Sequence, residues 1–206
     1  MTTTPSPQSL RKQLRQARRR LSAKERYSNE VRIAEALIRL PLIQRSQRVA
    51  FYLSEDGEVD LSPLQWFLHK KNKKLCLPVL RHGAKNRLWF CHYSPGDRLL
   101  LNRFRIAEPD THKNPPLSLR SIDVVLMPLV GFDDHLNRLG MGGGFYDRTF
   151  SMLRRGSHWR RPRLIGIAHE CQRVERLNRQ PWDVPMDFVV SEQGIYTGKG
   201  QLLRIP

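Results

Sequence analysis

The chain has 206 residues, 39% of them hydrophobic and 27% charged, with a formal net charge of +17. That length suffices to bury a real core in one large domain, and the positive excess favours polyanionic partners such as nucleic acid, an anionic membrane surface or a small anionic substrate. The three cysteines, Cys76, Cys91 and Cys171, lie far apart and cannot all pair within one chain, so a reduced, cytoplasmic setting is expected.

Residues 1–8 read as a disordered lead-in, and MTTTPSPQSLRKQ has no apolar core of a secretory signal. A basic helix is expected from Ser9, with Leu10, Leu14 and Ala17 forming an apolar line among Arg11, Lys12, Arg15, Arg18, Arg19 and Arg20. Ser22 to Glu25 has the spacing of a capping box, which starts a second helix. Val31, Ala34, Leu37 and Ile38 give that helix an apolar face, and Pro41 ends it. VAFYL (Val49 to Leu53) predicts a short buried strand. Ser62-Pro63 predicts a helix start, continuing to Lys71. KLCLPVL (Lys74 to Leu80) and LWFCHY (Leu88 to Tyr93) are the next strands, the latter a candidate antiparallel edge. IDVVLMPL (Ile122 to Leu129) is a strongly apolar strand. A glycine-rich loop follows, then a helix over Gly144 to Leu153, then strands at Leu164 to His169 and Asp187 to Val190. No apolar run approaches the roughly 18 residues of a membrane span.

Strands alternating with helices predict an α/β fold: a largely parallel central sheet flanked by helices, one three-layer domain over residues 9–206. Such sheets hold ligands beyond the carboxyl ends of their strands. Three strand ends carry polar chemistry: SEDGEVD (Ser54 to Asp60), the glycine loop, and HECQ (His169 to Gln172).

The glycine loop, RLGMGGGFYDR from Arg138 to Arg148, is the most informative stretch. It matches neither the Walker A nor the dinucleotide fingerprint. Clustered glycines still let backbone N–H groups converge on an anion, and a following helix adds its positive end. A tight strand-to-helix turn with no ligand is the bland alternative, but four glycines exceed what a turn needs. Asp147 fits either a helix-dipole role or a hard-cation ligand, since Mg²⁺ reaches nucleotide phosphates through one or two carboxylates. Asp183, taken alone, reads as a turn or cap residue. The seven histidines are scattered without metal spacing, and no nucleophile motif is visible.

MPLVGFDDHLNRLGMGGGFYDR resembles the signature of the 5-formyltetrahydrofolate cyclo-ligase (methenyltetrahydrofolate synthetase) family. LRQARRRLSAKER is similar to that family's first helix, FYLSEDGEVDLSPL to its folate segment, and IGIAHECQRVERLNRQPWDVPMDFVVSE to its C-terminal block. The resemblance implies a reaction: ATP-driven cyclisation of 5-formyltetrahydrofolate to 5,10-methenyltetrahydrofolate with release of ADP and phosphate, and Mg²⁺ as cofactor. In that scheme the formyl oxygen takes the γ-phosphoryl group and N10 then closes the ring. No side-chain nucleophile is required, because phosphoryl transfer is mostly positioning and charge neutralisation.

The resemblance also assigns residues. Arg11, Lys12 and Arg15 of the first helix, with Arg138, Leu139, Gly140, Met141, Gly142, Gly143, Gly144, Phe145 and Tyr146 of the loop, are expected at ATP. Glu55, Asp60, Phe145 and Tyr146 are expected at the folate, and Asp147 and Asp183 at the metal. Which of Arg11 and Lys12 meets ATP stays open, as does the choice between Glu58 and Asp60 on the folate segment. Some family members carry basic residues between the glycines, where this chain has Met141 and Gly143. The charge facing phosphate must then come from elsewhere, and Arg138 and Arg148 flank the loop.

The rival reading is a basic, non-catalytic RNA- or ribosome-associated protein using Arg11 to Arg20 and Arg154 to Arg163. Aromatics do not interleave with the first arginine run, which weighs against it; the excess charge leaves a nucleic-acid partner open.

Overall fold

Ser6 opens the first helix, its hydroxyl accepting from the Ser9 N–H, with Pro7 in the first turn where its missing N–H costs nothing. In this computed structural model α1 therefore spans Pro7–Arg20, two residues ahead of the expected Ser9. The structure describes residues 6–81, 83, 86–154, 162–198 and 201–204. Residues 1–5 of the expected lead-in and 155–161 of the second basic run fall outside these.

The capping box is present in full: Ser22 accepts from the Glu25 N–H while the Glu25 carboxylate accepts from the Ser22 N–H. It starts α2 (Ala23–Arg39), which buries Ile33, Ala34, Ala36 and Leu37. Pro41 ends α2 as expected and also occupies the first turn of a short α3 (Pro41–Arg45). The next strand, β1, covers only Arg48–Ala50; Phe51 still donates to the Cys76 carbonyl (2.8 Å), and the chain then runs on into the 54–60 loop. Then come α4 (Ser62–Lys70), β2 (Lys74–Leu80) and β3 (Leu88–Tyr93).

A hairpin of β4 (Leu99–Leu101) and β5 (Ala107–Pro109) follows, then β6 (Val124–Pro128). A second hairpin, β7 (Gly131–Phe132) with β8 (Arg138–Leu139), leads into the glycine loop. Next are α5 (Phe145–Thr149), β9 (Arg163–Ile167), β10 (Phe188–Ser191), β11 (Gly194–Thr197) and β12 (Leu202–Leu203).

The main sheet runs β12-β11-β10-β9-β6-β1-β2-β3. The β10-β9-β6-β1-β2 portion is parallel, whereas β3, β11 and β12 join antiparallel at the two edges. Successive strand residues face opposite sides. Val49, Phe51, Val124 and Leu126 pack with Ile33, Leu37 and Leu64 under α2 and α4. Ala50, Val125 and Met127 pack on the other side with Phe132, Phe150 and Met186. That second layer is built from α5, the β7–β8 hairpin and residues 184–186 rather than long helices.

The sheet order reverses between β1 and β6, since the chain builds outward from β1 to β2 and then returns to lay β6 on the other side. The crevice at such a switch point is where an open α/β sheet holds ligands. Helix α1 lies across it. Its Leu14 approaches Gly131 so closely that a Cβ there would sit 2.5 Å from Leu14 Cδ1, so a larger residue at position 131 would force the Leu14 side chain to move.

His169, which follows β9, is fully buried, and its Nδ1 lies 3.2 Å from the Asn29 amide nitrogen. Burial, reinforced by the nearby Arg18 and Arg26 cations against a backbone contact from Gly57, lowers its pKa to about 4. A base whose folded pKa is depressed gives stability that is present above its unfolded pKa and lost as the pH falls toward the folded value. We expect the melting temperature to drop between about pH 6.5 and 4, by at most about 3 kcal/mol of stability from this residue. His169→Gln should flatten that limb in thermal melts; an unchanged slope would mean that other groups carry the acid sensitivity.

Candidate active site

The loop after β1 and the chain after β6 are tied together by Arg18, a fully buried arginine. Its guanidinium donates to the Asp56 carbonyl (2.9 Å), the Leu129 carbonyl (3.2 Å) and the Asp56 carboxylate (3.0 Å). A buried cation is tolerated only when paired in this way. Asp56 and Gly57 both take positive φ (56° and 78°), making a tight turn that presents the carboxylate to α1. Arg15 (2.7 Å) and Arg19 also donate to Asp56. Partial burial works to raise the Asp56 pKa, but the hydrogen bonds from Arg15, Arg19 and Arg18 hold it below its ordinary value.

Above this crevice lies a cavity of about 1670 Å³. That exceeds the roughly 300–1,000 Å³ of a site for one drug-sized ligand. Its walls come from the 54–60 loop, the end of β2, the β4–β5 hairpin, the glycine loop with the start of α5, and residues 174–183. The hairpin is held by Asn102, whose side chain accepts from Phe104 N and Ile106 N and donates to Glu108; Glu108 in turn accepts from Leu80 N. This docking sets Phe104 edge-on to Phe145, with ring centroids 6.2 Å apart.

The structure gathers most of the predicted residues here. Glu55, Arg138, Leu139, Gly140, Met141, Gly142, Gly143, Gly144, Phe145, Tyr146, Asp147 and Asp183 all line the cavity, with Arg11. Arg11 donates from Nε to the Gly140 carbonyl (2.8 Å) and also borders an adjoining cavity of about 740 Å³. Lys12 and Arg15 line only that smaller cavity, and Arg15 is engaged by Asp56. Asp60 does not line the large cavity. Its carboxylate accepts from the Ser62 N–H (3.0 Å) and hydroxyl (2.7 Å), bracing the start of α4. Of the two candidates left open, Glu58 lines the cavity, together with Glu55, Asp56, Tyr52 and Arg18. The short Asp60 side chain is thus engaged in the local turn.

Burial pushes the Glu58 carboxyl up to about 7, against the pull of Arg18 at 3.6 Å. Burial also raises the Tyr146 phenol, with a further push from Glu58, so the phenol stays protonated. Tyr146 stacks on Phe150 at 6.3 Å and lies under the Arg138 guanidinium at 5.7 Å. Asp147 accepts from Arg138 Nη2 (2.6 Å) and Val184 N (3.2 Å), both on Oδ1. The peptide that follows Asp183 therefore docks on Asp147, and both residues line the cavity. Asp183 itself accepts from the Gln180 N–H (2.8 Å). Among the described residues no group of three or more acidic, His or Cys side chains forms a ready-made metal cage. Asp147 and Asp183 both line the cavity, and a pair of carboxylates is the kind of donor set Mg²⁺ accepts, since it keeps several waters and takes the rest of its shell from substrate phosphates.

Two parts of the site were not legible in the sequence. Phe104 and Asn86 come from segments without a motif. Asn86 has φ +51° and donates to the Gly143 carbonyl at 2.8 Å. The helix after the loop is also shorter than expected, ending at Thr149.

The fold is an open α/β sheet with a glycine loop and a large aromatic-walled cavity at its switch point, the place where such sheets hold ligands. The chain belongs to the 5-formyltetrahydrofolate cyclo-ligase family, whose model matches residues 3–192. It is 38% identical over 183 residues to the 5-formyltetrahydrofolate cyclo-ligase of Escherichia coli K12, covering 89% of this chain and 98% of that one. With the Haemophilus influenzae cyclo-ligase it shares 36% over 185 residues, covering 89% and 96%. Its structure superposes on the NMR structure of Aquifex aeolicus 5,10-methenyltetrahydrofolate synthetase with a TM-score of 0.77 at 31% identity, covering 97% of this chain and 96% of that one.

Proposed function

We propose that the chain catalyses ATP-dependent cyclisation of 5-formyltetrahydrofolate to 5,10-methenyltetrahydrofolate. The observation that carries this reading is one large cavity lined both by the glycine loop and by the aromatic rings of Phe104, Phe145 and Tyr146. The formyl oxygen takes the γ-phosphoryl group and ADP leaves. N10 then bonds to the formyl carbon as the C–O bond breaks, releasing inorganic phosphate and the N10 proton.

The glycine loop and Arg11 bind the triphosphate, with Lys12 and Arg15 along the adjoining basic cavity. Arg11 is favoured over Lys12, since it hydrogen-bonds the Gly140 carbonyl and lines the larger cavity as well as the smaller one. Glu55 and Glu58 face the folate, and Phe145 and Tyr146 pack against its flat rings, a role for which aromatic faces are suited. Asp147 and Asp183 would hold Mg²⁺, which neutralises phosphate charge when bound. Glu58 accepts the proton that N10 sheds, because a carboxylate with a pKa near 7 is matched to that task. No described helix is long and apolar enough to cross a membrane, and the three cysteines are free; a cytoplasmic location accords with both.

Incubation with 5-formyltetrahydrofolate and Mg-ATP should produce the near-ultraviolet methenyl chromophore. Omission of ATP, or chelation of the divalent metal, should abolish it. Equal product with and without ATP would overturn the assignment. The non-catalytic nucleic-acid reading predicts instead a basic protein whose polyanion binding collapses steeply with salt.

A further inference from the structure

The alternate glycines of the loop each face one arginine, two from the ends of the loop itself and one from α1. A Cβ at Gly140 would lie 3.1 Å from Arg138 Nη1, one at Gly142 3.6 Å from Arg11 Cζ, and one at Gly144 2.7 Å from Arg148 Nη1. Gly142 and Gly144 also have positive φ (97° and 65°). The glycines thus make seats for three guanidinium groups, one from β8, one from α1 and one from α5.

These three cations are not equivalent. Arg138 is nearly buried, with 7% of its side chain exposed, and is neutralised by Asp147 at 2.6 Å. Arg11 is engaged by the Gly140 carbonyl and shared with the adjoining cavity. Arg148 is exposed and lines the main cavity. The only hydrogen-bond partner of its guanidinium among the described residues is the Gly143 carbonyl, at 2.6 Å. That carbonyl has a second donor in Asn86, so the loop does not depend on Arg148 for its shape. Positions 141 and 143, between the glycines, carry no charge. Position 143 has no room for one either, since a Cβ there would lie 2.8 Å from the Phe145 ring.

We propose that Arg148 is the cation of the glycine loop that contacts the nucleotide phosphates, serving from the following helix in place of a basic residue within the loop. This rests on the reading that the loop binds ATP. Arg148 keeps its charge unpaired by any carboxylate among the described residues, and it needs only to leave one shared carbonyl to offer its full fork of donors. Charge-assisted arginine–phosphate bonds are strong and geometrically specific.

The test is calorimetric titration of ATP, alongside steady-state kinetics, for the wild type, Arg148→Gln, Arg148→Ala and the double variant Arg148→Ala/Met141→Lys. Met141 is 58% exposed, so a lysine there fits without repacking. Both single variants should weaken ATP binding and raise its KM by roughly ten- to a hundredfold, the worth of one hydrogen bond to a charged group, with the folate KM unchanged. The Met141→Lys change should recover a large part of the loss. Arg148→Gln can still donate to the Gly143 carbonyl, so wild-type ATP affinity in Arg148→Gln would mean that Arg148 only clamps the loop and would overturn the proposal. Failure of Met141→Lys to recover any affinity would count equally against it. A wild type that binds ATP but forms no methenyl product would sink the cyclisation reading alone, while the binding arm would still decide the role of Arg148.

Discussion

Asp147→Asn is expected to lower kcat by about a hundredfold or more, the scale on which loss of one transition-state electrostatic contact acts. It should also raise the Mg²⁺ concentration needed for half-maximal rate. The side chain is nearly isosteric and can keep the hydrogen bond to Val184 N. What disappears is a negative charge in the cavity that Asp183 also lines. A complication follows from the structure: Asp147 is also the counterion of the nearly buried Arg138. Breaking a buried pair by removing one partner typically costs about 3–5 kcal/mol, so a fall in melting temperature should accompany the loss of rate. Arg138→Gln/Asp147→Asn removes both charges and should regain stability without regaining turnover. Arg138→Gln alone keeps the carboxylate and should retain more activity than Asp147→Asn when Mg²⁺ is saturating. If Asp147→Asn turned over normally at limiting Mg²⁺ while melting early, Asp147 would be a structural partner of Arg138 and nothing more.

The helices and parallel strands could be read from the sequence wherever local chemistry and burial agreed. The Ser22–Glu25 capping box marks a helix start by its own hydrogen bonds. KLCLPVL and LWFCHY are strands with the expected bounds, because their apolar runs are buried in the sheet, and the second is antiparallel at its edge. VAFYL was less legible: Phe51 and Tyr52 are as buried as Val49, but the chain leaves the ladder early to form the Asp56-Gly57 turn. The β4–β5 and β7–β8 hairpins went unread because their strands are two or three residues long, too short for a period to register. At the site, the glycine loop announced itself by composition. Its partners did not, since nothing local says that Arg18 is the buried tie between two strand ends, or that Asn86 braces Gly143. Arg15 shows the converse: its charge is plain in the sequence, yet its placement on Asp56 depends on a turn that forms forty residues away.

The rate of cyclisation is expected to rise with pH through about 7 and then level, with Glu58 as the group responsible. An acid raised to about 7 by burial is mostly neutral at pH 6 and mostly ionised at pH 8. Only the ionised form can take the proton that N10 loses as the ring closes, so the active fraction grows across that window. General-base catalysis contributes about 10²- to 10⁴-fold. Glu58→Gln should therefore lower kcat on that scale and leave a flat profile between pH 6 and 8. The variant should fold well: Arg18 keeps its bonds to Asp56 and Leu129, and a glutamine amide can still accept from the Glu55 N–H that the Glu58 carboxylate now holds. Glu58→Asp should keep a titrating limb at reduced rate, since the charge survives but its reach shortens. ATP affinity should be unchanged in both variants, because Glu58 lies on the 54–60 loop rather than the glycine loop. A flat wild-type profile from pH 6 to 8, or one that keeps its limb in Glu58→Gln, would assign the proton to another acceptor. A rise in folate KM with kcat intact would reduce Glu58 to a binding contact.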